Sequence, residues 1–144
     1  MYLKTLKHKK ISFARNHTGK YFKTFSPKVK NYLKKNKASS LIEIIDYIYP
    51  INKTLPRKEL GIKDHINLSG ENPLKGPVFI SLTNVYKSRK GIIIAGLKQG
   101  IHPNNQEKKI LRKINVKAYC YNLVPTVIFA ASLGLKIKAV GIVK

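Results

Sequence analysis

Carboxylates, cysteine and tryptophan are what this 144-residue chain has least of: six Asp/Glu, one Cys and no Trp. The single cysteine, Cys120, excludes an internal disulfide and fits a reducing compartment, so a cytoplasmic location is expected. No run of eighteen apolar residues occurs, so neither a transmembrane helix nor a membrane partner is expected. The basic N-terminus lacks the apolar stretch and small-residue cleavage site of a signal peptide. No His/Cys set has zinc spacing, and no Gly-rich nucleotide loop or Ser/His/Asp set is evident. No metal and no cofactor are therefore expected. The length indicates one domain, and 43% apolar residues suffice to bury a core.

What is abundant is positive charge. The net charge is +23, from 29 basic residues, and no acid precedes Glu43. Residues 1–38 carry twelve Lys/Arg, interleaved with Tyr2, Phe13, Tyr21, Phe22, Phe25 and Tyr32. Ammonium groups that displace counterions, beside rings that stack on bases, are the footprint of a nucleic-acid surface. The competing reading is compositional. Lysines number 25 against four arginines, whereas base and phosphate recognition favours the guanidinium fork, and Lys, Ile and Asn together fill 54 positions. Under either reading, nonspecific, salt-sensitive nucleic-acid binding through the excess Lys is expected.

Along the chain, residues 1–40 read as a basic, poorly patterned segment, with a short strand at Ile11–Phe13, and residues 41–144 as an α/β domain. Val29–Lys37 is helix-compatible. Leu41–Ile48 is a buried-strand candidate, followed by strands at Gly61–Leu68 and Gly91–Ala95. Pro103 and Asn104 open a helix with Glu107 at capping-box spacing. Ala118–Tyr121 reads as a strand, Pro125–Leu133 as a helix stopped by Gly134, and Lys136–Val143 as a last strand. Strands alternating with helices predict an α/β fold with a largely parallel sheet covered on both faces.

Residues 64–77 spell D-H-I-N-L-S-G-E-N-P-L-K-G-P. This string resembles the D-H-I-N-L…G…N-P-L…G-P segment of the trimeric purine nucleoside phosphorylases. Residues 78–86 resemble that family's R-F-P-x-M-S-x-x-Y. Residues 107–127 resemble its helix followed by A-V-G-M-S-T-V-P-E-V, and residues 133–137 its next helix–strand step. Upstream, Arg15-Asn16-His17 stands where the family carries G-R-F-H. The resemblance spans about residues 11–144 and is clearest from residue 59 onward. It implies a three-layer α/β/α domain with a central mixed, mostly parallel sheet, assembled as a homotrimer.

The implied reaction is phosphorolysis: orthophosphate attacks C1′ of a purine nucleoside, giving ribose 1-phosphate and free base. Such a site must hold an anion beneath the sugar and stabilise charge developing on the leaving purine. By resemblance, Arg15, His17 and Asn122 are the phosphate-binding candidates, and Phe79, Tyr121 and His102 fall at ribose and purine positions. Several parts depart from the pattern. The glycine-rich G-S-G-L-G loop has no counterpart, and Asp46–Tyr49 replaces the small N-A-A-G turn whose backbone approaches phosphate. The purine-binding Glu of P-S-F/Y-E-T aligns with the region of His102 and Pro103. The Asn that meets the purine ring would fall past Lys144. About a helix's worth of family sequence is missing between Tyr86 and Gly91. These departures predict impaired or absent activity, with a lysine-rich nucleic-acid-binding module as the alternative function, and a separate chain supplying the missing parts as a third.

Overall fold

A computed structural model describes residues 1–5, 19–39, 41–51, 55–56, 58–74, 85–88 and 90–144. The strand expected at Ile11–Phe13 lies outside them. In chain order the described elements are β1 (Tyr2–Thr5), β2 (Lys20–Tyr21), α1 (Pro27–Lys35), β3 (Leu41–Pro50), β4 (Glu59–Asn67), β5 (Ile92–Gly96), α2 (Asn105–Lys113), β6 (Val116–Cys120), α3 (Leu123–Ser132) and β7 (Lys136–Val143). Between β4 and β5 the described residues form no helix.

The strands form one mixed sheet in the order β2-β1-β3-β6-β5-β4-β7, and β3 also pairs with β7. That last pairing closes β3, β6, β5, β4 and β7 into a five-stranded barrel, with β1 and β2 extending from its wall. The three-layer α/β/α arrangement expected from the resemblance is therefore not distinct, because the central sheet closes into a barrel, although the sheet is mixed as expected. The cause is the length of β3. Its residues 41–48 run parallel to β7 from Lys136 to Val143, while its end, Tyr49–Pro50, meets Tyr119 and Ala118 of β6 antiparallel. Register shifts at Ile62/Asp64 and Ile93/Ile94 add the local twist that closure requires. The sheet is mixed: β3–β7, β4–β5 and β5–β6 are parallel, while β1–β2, β1–β3, β3–β6 and β4–β7 are antiparallel.

Apolar side chains from opposite walls meet in the main core, among them Ile42, Ile44, Ile48, Ile62, Ile94 and Ile137. Helix α3 packs on β3, β4, β5 and β7, and α1 packs on α3. Sandwiched in this way, α3 is apolar almost all round, and buries Leu123, Val124, Val127, Phe129 and Ala130. It starts two residues earlier than Pro125, because proline within the first turn forfeits no helical hydrogen bond. It ends in a Schellman motif. Gly134, at φ 78°, donates to Ala131 O, and Leu135 N donates to Ala130 O.

Residues 1–40 supply part of this core: Leu3, Phe22, Val29 and Leu33 are buried in it. A smaller core joins Ala95, Leu97, Val116 and Tyr119 to Leu111 of α2 on the outer face of β5 and β6. No helix among the described residues is long and apolar enough to cross a membrane.

Candidate functional site

The parallel strands β4, β5 and β6 end at one rim of the barrel. In open α/β sheets such carboxyl ends are where ligands bind. Their loops here line a cavity of about 340 Å³ with Ser69, Glu71, Asn72 and Pro73 after β4, Leu97, Lys98 and Gln99 after β5, and Tyr121, Asn122 and Pro125 after β6. Thr24, Phe25 and Lys30 close it from the N-terminal side. A pocket of this size holds a small organic ligand. Gly96 makes the rim compact: a Cβ there would meet Val124 Cβ at 2.7 Å, so β5 and the start of α3 touch directly.

Asn122 sits at the head of α3, yet its side chain does not cap the helix. It is committed elsewhere: its Oδ1 accepts from Phe25 N at 3.2 Å, and the side chain acts on the buried Asp46 carboxylate, favouring its charged form. Asp46 also lies 3.4 Å from the amino group of Met1, which donates to Phe22 O at 3.0 Å. Burial pushes the Asp46 carboxyl above its ordinary pKa, against the pull of the ammonium and the hydrogen bonds it accepts. The structure thus brings together two positions that the resemblance relates to phosphate, Asn122 and Asp46, and residues 46–49 form no turn there but continue strand β3. Asp46 as a buried acid was not foreseen. The signal available was two carboxylates, Glu43 and Asp46, interrupting the apolar run 41–48, with nothing local to mark which is buried.

Tyr121 lines the cavity and donates its hydroxyl to Ile101 O at 2.9 Å. His102 does not line it. Its Nδ1 lies 3.2 Å from Tyr119 Oη and 3.3 Å from Tyr121 Oη, in an aromatic group completed by Tyr49, which stacks on Tyr119 at 5.3 Å. Burial raises the phenol pKa of Tyr119 and Tyr121, so both stay protonated hydrogen-bond donors. Arg15, His17 and Phe79 lie outside the described residues. The structure therefore brings Tyr121 and Asn122 onto one cavity and turns His102 toward the tyrosines.

Several cavity residues were not singled out from sequence. Lys30 and Lys98 bring positive charge, and Lys30 Nζ stands 5.6 Å from the Phe25 ring centroid. Glu71 and Asn72 place a carboxylate and an amide next to each other, with Glu71 3.9 Å from Lys98 Nζ. Chemically, the cavity can hold a flat heteroaromatic ring with donors along one edge against Glu71, Asn72 and Gln99. Among the described residues no group of His, Cys, Asp and Glu could hold a metal ion.

No protein-family model and no curated protein matches the sequence. Solved structures do match the fold. A Schistosoma purine nucleoside phosphorylase in complex with guanosine is 18% identical with a TM-score of 0.69, over 79% of this chain and 56% of the other. Isoform 2 of the Schistosoma mansoni enzyme, with cytosine and ribose-1-phosphate, is 22% identical with a TM-score of 0.66, over 79% and 51%. The S. mansoni enzyme in complex with inosine is 17% identical with a TM-score of 0.68, over 78% and 51%. The chain thus spans about half the length of the proteins it matches. At these identities the likeness concerns architecture, and by its fold this chain is purine nucleoside phosphorylase-like.

Proposed function

We propose that the cavity at the carboxyl ends of β4, β5 and β6 takes a purine nucleoside or its base, and that phosphorolysis there is strongly impaired. The observation that carries this reading is the Asp46–Asn122 contact. A phosphorolytic site needs donors and positive charge around the attacking phosphate. Here the side chain expected at phosphate is engaged by Phe25 N and by a buried carboxylate, and the nearby Met1 ammonium is already paired with that carboxylate. Nucleoside binding does not need that locus. The complexes with guanosine and with inosine are of proteins sharing this fold, and Glu71, Asn72 and Tyr121 offer a purine an edge and a face.

Losing a single polar stabiliser at such a centre costs about 10²–10³ in rate. Purified protein incubated with inosine and orthophosphate should therefore release hypoxanthine at least about 10²-fold more slowly than ordinary enzymatic turnover. Inosine or guanosine should raise the melting temperature, and orthophosphate alone should not. Turnover in the usual enzymatic range would refute the impairment; absence of any nucleoside-dependent shift would refute the binding.

Homotrimer assembly belongs to the same proposal. Exposed Leu68, Ile101 and Ile110 border a groove of about 390 Å³ beside α2, an apolar surface that assembly would cover. Light scattering that reports a monomer at all concentrations would remove this part. A cytoplasmic setting completes the reading, supported by a lone cysteine that is buried and unpaired.

A further inference from the structure

The face built by β2 and α1 carries positive charge without any compensation of its own. Residues 19–39 hold Lys20, Lys23, Lys28, Lys30, Lys34, Lys35 and Lys37 and no carboxylate. Three of these converge. Lys20 from β2 and Lys28 and Lys35 from α1 surround a notch of about 230 Å³ floored by Phe22, Asn31 and Tyr32, and no acid lines it. Lys28 and Lys35 are seven residues apart, so they stand on one side of the helix about 10 Å from each other. Lys20 Nζ lies 5.8 Å from the ring centroids of both Phe22 and Tyr32, which hold it over the floor. Three ammonium groups around one concavity repel each other unless an anion sits among them.

The residue after Lys20 adds a second feature. Tyr21 is 58% exposed, on the last strand of the sheet among the described residues, and its ring is backed by Tyr2 at 5.2 Å. A supported, solvent-facing ring is a stacking platform for an unpaired base. Successive strand residues project to opposite faces, so the ring stands across β2 from the lysine notch, and a single strand that rounds β2 meets both. A duplex would leave the ring unused, since its base faces are covered.

From this arrangement we propose that single-stranded nucleic acid binds around β2, with phosphates at Lys20, Lys28 and Lys35 on the α1 side and a base stacked on Tyr21 on the other. The site is separate from the nucleoside cavity and does not depend on what that cavity does.

The test must separate a site from the effect of bulk charge. Binding of a fluorescent oligo(dT) is followed by anisotropy across a salt series for two charge-matched triple variants. One carries Lys20→Gln, Lys28→Gln and Lys35→Gln; the other carries Lys109→Gln, Arg112→Gln and Lys113→Gln on α2, and Tyr21→Ala is measured alongside. The notch triple should bind about tenfold or more weakly, with the slope of log K against log salt reduced by about 2, at roughly 0.7 per phosphate contact. The α2 triple should stay within about threefold of the parent. Tyr21→Ala should weaken oligo(dT) about fivefold or more and leave duplex binding unchanged.

Equal weakening by both triples would overturn the proposal, because affinity would then follow net charge alone. An unaltered Tyr21→Ala variant would overturn the single-strand assignment. Notch-dependent binding to phosphatidylserine vesicles without oligonucleotide binding would transfer the surface to membranes and overturn it as well. Far-UV circular dichroism checks that each variant is folded. If the notch triple is not, the double variant at the exposed Lys28 and Lys35 carries the same comparison against Lys109 and Lys113.

Discussion

At His65, burial decides the protonation state. The ring is 7% exposed, its Nδ1 lies 2.6 Å from Tyr86 Oη, and its Nε2 is buried with no hydrogen-bond partner. Burial lowers its pKa to about 4, against the opposing pull of the neighbouring Asp64 carboxylate. The sign follows directly. Above pH 6.5 the ring is neutral in both states and contributes no pH dependence. Between 6.5 and about 4 the unfolded chain takes up a proton that the folded protein refuses, so stability falls as the pH drops. The loss reaches about 3 kcal/mol near pH 4 and then levels off. Asp46, with its pKa raised, opposes this at the acid end of the window by holding its own proton better when folded. Urea unfolding measured from pH 7 to pH 4.5 should show the decline, and His65→Gln, which keeps a polar partner for Tyr86, should flatten it. A slope unchanged in the variant would assign the effect elsewhere. The D-H-I-N-L string was legible as a strand running into a loop. The partner that buries its histidine, 21 residues away, was not.

Elements whose signals are local matched their expected positions. Asn104 and Glu107 form the capping box their spacing predicts: Glu107 N donates to Asn104 Oδ1 at 2.9 Å, and Asn104 N donates to Glu107 Oε1 at 3.3 Å. Because α2 seals only the smaller core through Leu111, little else holds its first turn. Asn104→Ala should cost about 1 kcal/mol in urea unfolding, while Asn105→Ala, one residue on, should be nearly neutral. Strand β7 runs from Lys136 to Val143 as its β-branched alternation indicated. Strands β1 and β2 escaped notice for an equally physical reason. Four and two residues long, they carry no periodicity and exist because β3 lends β1 its free edge.

For the whole molecule, the basic N-terminal segment and the barrel share one interior. Leu33 of α1 is fully buried in the core that holds Ile44, Ile94 and Ile137. Leu33→Ala should therefore destabilise the barrel itself, by about 2–5 kcal/mol. Labelling of the single thiol, Cys120 in β6, and far-UV circular dichroism should shift together to the same lower midpoint. An α1 that melted alone, with the Cys120 labelling midpoint unmoved, would show that the segment is only appended to the barrel.

The amino-acid sequence by itself determined the α/β class, the capping box of α2, the Gly134 stop of α3, the span of β7 and the excess of positive charge. Each rests on residues within a few positions of one another, where periodicity, cap chemistry and charge act directly. Barrel closure through β3 and β7, the Asp46–Asn122 contact, the burial of His65 against Tyr86 and the meeting of Lys20 with Lys28 and Lys35 were decided by tertiary structure alone. They join residues whose proximity depends on how a long strand curls and which edges remain free to pair, and no local pattern encodes that.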